Sequence, residues 1–204
     1  MALNKNLLLA GLITALIALA NPASAVDFTN VAFLQTASGT TSIPVGHLEF
    51  CKTRPAECRA YDRVEPATVL TDANWQQLTA VNTYYNQNIV PVTDMDLYQV
   101  EEFWTYPNGY GDCEDFALIK RRDLIAAGWH PSTLMIAVVK EANGNGHAVL
   151  IARTDRGDLV LDNQEGAIRL WSETPYKYVK RQSQAHAGQW VDMIDDRVTI
   201  VAAK

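Results

Sequence analysis

A glycine-bracketed run from Gly109 to Gly128 (Gly-Tyr-Gly-Asp-Cys-Glu-Asp-Phe-Ala-Leu-Ile-Lys-Arg-Arg-Asp-Leu-Ile-Ala-Ala-Gly) constrains this chain more than any other stretch. It reads as a loop that delivers one cysteine to the first turn of a helix. Gly109 and Gly111 supply backbone freedom for a tight approach, and Asp112 is a good N-cap whose carboxylate can accept from the Asp115 amide. At about 100° per residue, Cys113, Phe116, Ala117, Lys120, Leu124 and Ala127 share one stripe, and Gly128 follows as a stop. The thiol is therefore expected on the buried face of the first turn. Free amides and the positive end of the helix dipole favour the reactive thiolate there.

A cysteine on an apolar helical stripe is commonly a small core residue. Asp112, Glu114 and Asp115 argue for more. Three carboxylates around a thiol raise its pKa and repel one another, a cost that a purely structural cysteine has no reason to carry.

The chain opens Met-Ala-Leu-Asn-Lys-Asn, runs apolar from Leu7 to Ala20, and reaches Ala23-Ser24-Ala25. A positive start, a short apolar middle and a small-residue site make residues 1–25 a secretory signal. The apolar run is too short to span a bilayer comfortably. The mature chain, residues 26–204, is expected to be exported as a single domain that does not itself cross the membrane. Lys5 is the only charge lost on cleavage, so the formal charge moves from −6 to about −7. That balance argues against a nucleic-acid partner.

An oxidising compartment permits disulfides, and the chain has three cysteines. Cys51 and Cys58 are close in sequence and are expected to pair, which leaves Cys113 as the odd thiol.

Residues 26–66 show weak periodicity, with Pro44, Gly46, Pro55 and Pro66 as punctuation, and read as an irregular arm pinned by the disulfide. His47, alone in that arm, reads as surface decoration. From Asp72 to about Asn88 the spacing is helical, with Trp75, Leu78, Tyr85 and Ile89 on one face, Thr71 or Asp72 as cap and Pro91 beyond the end. Asn82 shares that face, and a buried amide there must find partners. Phe103, Trp104 and Tyr106 are simplest as packing for the cysteine loop, although the Trp104 indole could also donate to an oxyanion. Three apolar, branched segments, 134–139, 147–153 and 159–163, read as strands, with further strands at 176–181 and 197–201.

A thiol at a helix start, a histidine opening a strand and an aspartate on the next strand is the order that a cysteine hydrolase needs. Cys113 would attack a carbonyl, His147 would hold its proton and return it to the leaving amine, and Asp162 would orient the imidazole. A hairpin turning about Arg156-Gly157 leaves Asp162 four residues, about 13 Å, out of register with His147. A bulge, or a turn displaced toward Thr154-Asp155, would close that gap. Gln164 stands as a rival orienter.

Gly111-Asp-Cys113-Glu-Asp115-Phe-Ala with Lys120, Gly146-His147-Ala-Val-Leu and Leu161-Asp162-Asn163 resemble the signatures of the bacterial transglutaminase-like cysteine proteinases. The arm with Cys51 and Cys58, Asn82 and the approach from Trp104 to Pro107 fit as well, so the likeness spans nearly all of the mature chain. The resemblance implies a papain- or transglutaminase-like α+β fold, with N-terminal helices and the cysteine helix packed on an antiparallel sheet. It also implies Cys113, His147 and Asp162 as the triad, which favours Asp162 over Gln164. The best-understood relatives are calcium-dependent periplasmic proteases that release adhesins from the cell surface under control of a membrane receptor, so the resemblance implies a protein substrate and an inner-membrane regulatory receptor. Amide transfer or deamidation would use the same acyl-thioester, and a calcium-responsive binding module is the non-enzymatic alternative.

Some of Asp112, Glu114 and Asp115, with a carboxylate from the Asp94-Asp96 segment, are expected to bind calcium. The donors are all oxygen, and a divalent cation would offset three anions beside the thiol.

Overall fold

In the computed structural model, which describes residues 31–197, helices pack on one large antiparallel sheet. The arm supplies β1 (Gln35–Thr36) and helix α1 (Val45–Thr53). Next come α2 (Asp72–Asn88), β2 (Val90–Pro91), α3 (Asp94–Tyr98), β3 (Tyr110–Gly111) and α4 (Cys113–Ala126). The rest is mostly sheet: β4 (Leu134–Lys140), β5 (Gly146–Thr154), β6 (Gly157–Leu161), β7 (Arg169–Leu170), β8 (Lys177–Gln182) and β9 (Trp190–Ile194). Strand order is β1-β9-β8-β4-β5-β6-β7, with every pair antiparallel. This is the mixed α+β arrangement expected from the sequence. Residues 1–25, expected to be a signal segment, lie outside the described residues, as do positions 198–201 of the strand expected at 197–201. No helix among the described residues is long and apolar enough to cross a membrane.

Both sheet faces are covered, which is why β4 reads as an unbroken apolar run. Ile136, Leu150, Ala152 and Leu159 pack against Leu78 of α2 and Ala117, Leu118 and Leu124 of α4. Met135, Ala137, Val149, Ile151 and Val160 face Leu34, Trp171 and Tyr178.

The α2 boundaries match the sequence reading, and Thr71 Oγ1 caps it by accepting from the Asn74 amide. α4 ends as expected at Gly128, which adopts φ +100°. The Trp129 amide donates to Leu124 O and the Gly128 amide to Ile125 O, the paired bonds of a Schellman stop.

The arm is a correction. It is not irregular throughout, because α1 forms there and buries Gly46, His47 and Phe50. A glycine and a histidine on the inward face hide the apolar periodicity that normally reveals a helix. Gly46 is needed because Trp104 lies against it, so close that a Cβ would fall 2.2 Å from the indole Cδ1. Nor is His47 surface decoration. It is buried, Trp190 Nε1 donates to its Nδ1 at 3.0 Å, and the ring lies beside the Cys51–Cys58 disulfide. That disulfide is the expected one, with Cα atoms 5.5 Å apart.

Candidate active site

Cys113 is the first residue of α4 and the one free cysteine among the described residues. Its Sγ accepts from the Ala148 amide at 3.3 Å and donates to Glu114 Oε2 at 3.1 Å. The first bond ties the start of α4 to β5 one residue past His147. Burial pushes the thiol pKa well up, and the Glu114 charge adds to the shift.

His147 and Asp162 are both buried, with Nε2 and Oδ1 2.9 Å apart. The ladder explains their meeting. Leu150 pairs with Leu161 and Thr154 with Gly157, so the hairpin turns at Asp155-Arg156, displaced in the direction that closes the gap. Asp162 also accepts from the Gln164 amide at 3.0 Å and from the Tyr176 hydroxyl, while its own carbonyl accepts from Asn86 Nδ2 at 2.8 Å. Burial alone would raise the Asp162 pKa, but the bonds from His147 and Tyr176 bring it below the usual carboxylate value. Gln164 approaches the other imidazole nitrogen, Nδ1, at 3.3 Å. Among the described residues no hydrogen bond joins His147 to Cys113.

Two neighbouring helices hold this loop. Lys120, fully buried on α4, donates to Asn82 Oδ1 at 2.8 Å, and Asn82 Nδ2 donates to Gly166 O at 3.2 Å. Asn82 is thus a bridge from α2 to the segment after Asp162. Burial lowers the Lys120 pKa to about 7, an effect partly offset by the charge of Asp162.

The carboxylates divide their tasks. Asp94, Asp112 and Glu114 bring one oxygen each within 4.8 Å of one another. Asp94 Oδ1 and Asp112 Oδ1 are buried without a partner. Asp115 turns elsewhere: its Oδ1 accepts from the Thr105 amide at 2.8 Å, and a Cβ on Gly111 would fall 2.7 Å from its Oδ2. Gly111 is therefore fixed by close approach to Asp115. Burial raises all four pKa values, to about 6 for Asp112, about 9 for Glu114 and about 8 for Asp115, while Asp94 shifts in the same direction.

One reading needs correction. Asp112 holds the N-cap position of α4, but its side chain makes no cap bond and accepts instead from the Asp94 amide at 3.2 Å. Trp104 is core packing, as expected, and its indole N–H donates to Glu102 Oε2 at 3.1 Å and not toward a reacting carbonyl. Sequence reasoning overlooked Tyr176, Asn86 and the Ala148 amide. A backbone donor leaves no residue-type signal, while a tyrosine fourteen residues past Asp162 becomes relevant only once the loop folds back.

The model for the bacterial transglutaminase-like cysteine proteinases matches residues 37–198. Calcium-bound LapG of Legionella pneumophila matches at 28% identity and TM-score 0.51, covering 62% of this chain and 75% of that one. LapG of the same organism also matches at 31% identity and TM-score 0.49, covering 58% and 68%. The EGTA-treated form matches at 29% and 0.49, covering 61% and 69%. No curated protein matches the chain.

Proposed function

The chain belongs to the bacterial transglutaminase-like cysteine proteinases, and from that premise we propose that it is a periplasmic thiol endopeptidase with Cys113, His147 and Asp162 as its triad. The observation that carries this reading is the buried His147 Nε2 to Asp162 Oδ1 contact, one residue from the amide that holds the Cys113 sulfur. With Nε2 committed to Asp162, Nδ1 is the nitrogen for proton transfer, and it exchanges its 3.3 Å contact with Gln164 Nε2 for the thiol. His147 takes the thiol proton as Sγ attacks the peptide carbonyl, then gives that proton to the departing amine. This leaves a thioester on Cys113. Water, deprotonated by the same imidazole, splits the thioester, releasing a carboxylic acid and restoring the thiol. Asp162 keeps the ring in one tautomer and stabilises the imidazolium.

Calcium fits the acidic cluster. Two of its buried carboxylate oxygens, Asp94 Oδ1 and Asp112 Oδ1, lack partners among the described residues, as does Oδ2 of the adjoining Asp115, and oxygen atoms of Asp94, Asp112 and Glu114 within 4.8 Å of one another suit a cation with metal–oxygen distances of roughly 2.3–2.6 Å. Asp94, Asp112 and Glu114 would hold it, while Asp115 braces the loop through Thr105. Bound calcium would neutralise negative charge beside the nucleophile. The calcium-bound LapG relative supports this choice of metal. The proposed substrate is an exported or surface protein, and the proposed regulatory partner is an inner-membrane receptor.

Hydrolysis and amide transfer are separated by incubating the purified protein with a denatured extract of exported proteins in heavy-oxygen water. Hydrolysis creates new carboxyl termini that carry the heavy atom, and Cys113→Ala abolishes them. Cross-linked or deamidated glutamines without new termini would refute the peptidase reading.

A further inference from the structure

Arg181 on β8 is a buried cation without a counter-ion among the described residues. It is 4% exposed. Its Nη1 donates only to neutral groups, Met135 Sδ at 2.9 Å and Gln182 O at 2.7 Å, and its Nε has no partner at all. The nearby carboxylate of Asp158 is already committed, receiving Arg153 Nε and Nη2 at 2.8 Å each and the Leu34 amide at 2.8 Å. Two guanidinium groups thus share one carboxylate. A buried charge is tolerated when it is paired and hydrogen-bonded, and Arg181 falls short on both counts.

Arg181 and Arg153 line a cavity of about 340 Å³. Its other polar walls come from Gln35, Thr36, Ser183 and Gln184, and among the described residues no aspartate or glutamate lines it. Nη1 is occupied by neutral acceptors and Nε is buried without a partner among the described residues, so the guanidinium at the cavity wall carries a charge that no carboxylate is dedicated to. Burial and the Arg153 charge lower the Arg181 pKa to about 10, as expected for a cation without an anion. Arg153 lies six residues along β5 from His147, about 20 Å, so this cavity is separate from the candidate active site.

We infer that this cavity binds a small oxyanion, a carboxylate or a tetrahedral anion, against the Arg181 guanidinium. The anion supplies the missing charge and joins β8 to the arm through Gln35 and Thr36.

The test is thermal denaturation of the calcium-loaded protein titrated with sodium sulfate in one arm and sodium acetate in the other, with sodium chloride at matched ionic strength as reference. The expected result is a saturable rise in Tm of roughly 5–10 °C once the preferred anion reaches a hundredfold excess over its Kd. Whichever arm saturates at lower concentration identifies the class. Arg181→Met should remove the saturable rise while keeping the shallow, unsaturable effect of sulfate as an excluded salt. It should also be at least as stable as the parent protein in chloride alone, because an unpaired buried charge is gone. A wild-type response without a saturable component in either salt, or a saturable rise that survives Arg181→Met, overturns the site. If Arg181→Met does not fold, the Arg181 Nε–H resonance of the wild-type protein decides: it shifts on titration, and a fixed position overturns the site. Cys113→Ala should give the same response as wild type, so loss of the peptidase reading leaves this one standing.

Discussion

His147 Nε2 lies 2.9 Å from Asp162 Oδ1 even though β5 and β6 stop pairing at Leu150 and Leu161 and Asp162 lies one residue past the end of β6. Continuing the ladder would set Asp162 opposite Val149, two residues or about 7 Å from His147, and the side chains span that remainder. The contact therefore depends on the loop after Leu161, which Tyr176, Asn86 and the Lys120-Asn82-Gly166 chain hold in place.

Asp162→Asn should keep the fold and lower kcat by roughly a hundred- to ten-thousand-fold, with little change in KM, because the orienting charge is lost while the shape remains. Tyr176→Phe removes one donor to the same carboxylate and should cost about tenfold. Steady-state kinetics on a cleaved substrate check the order. Equal losses for the two variants would mean that Asp162 does not act through its charge.

Iodoacetamide on the native, unreduced protein should alkylate Cys113 and nothing else, because Cys51 and Cys58 are bonded to each other. Peptide mass spectrometry locates the label. Label on Cys51 or Cys58 would contradict both the pairing and the nucleophile.

The division of the acids gives a contrast between two variants. Asp94→Asn should weaken calcium binding at least tenfold and lower Tm only when calcium is present. Asp115→Ala, which strands the Thr105 amide, should lower Tm with or without calcium. Calorimetric titration and melting in EGTA against calcium distinguish them. Identical behaviour of the two variants would remove the distinction between ligand and brace.

His47 gives the protein an acid-sensitive core. Burial, and secondarily the charge of Arg121, lower its pKa from 6.5 to about 4. Between those values the unfolded chain binds a proton that the native state does not. The contribution of His47 to stability should therefore fall as pH drops from about 6.5 to 4, by about 3 kcal/mol. Asp112, Glu114 and Asp115, whose folded pKa values are raised, act with the opposite sign over the same range in the metal-free protein, so the His47 share is read as a difference between variants. Asp162 and Asp195, whose folded pKa values are lowered, add their own losses only below about pH 4. Melting curves of wild type and His47→Gln should show the stability of the wild type relative to the variant shrinking as pH falls from about 6.5 to 4. A difference that does not change with pH would assign the acid sensitivity elsewhere.

The sequence reveals long regular patterns and hides short or polar ones. α2 was legible because Trp75, Leu78, Tyr85 and Ile89 repeat at helical spacing, and β4 because its branched run is buried on both faces. α1 was not, since Gly46 and His47 occupy its inward face. β2 and β3 pair through two residues each, Val90 with Tyr110 and Pro91 with Gly111, too few for any periodicity. In the site, residue type and chain order point to Cys113 and His147 but leave Asp162 and Gln164 as rival orienters, and both lie near the imidazole, at Nε2 and Nδ1 respectively. The division of work among Asp94, Asp112, Glu114 and Asp115 is invisible in sequence, because it depends on which way four carboxylates turn.

The most direct test of the central claim is terminal-peptide mass spectrometry of periplasmic and surface proteins from cells carrying either the wild-type protein or Cys113→Ala at equal abundance. The account predicts a defined set of new protein termini with the wild type that is absent with Cys113→Ala. The same termini in both strains would contradict it.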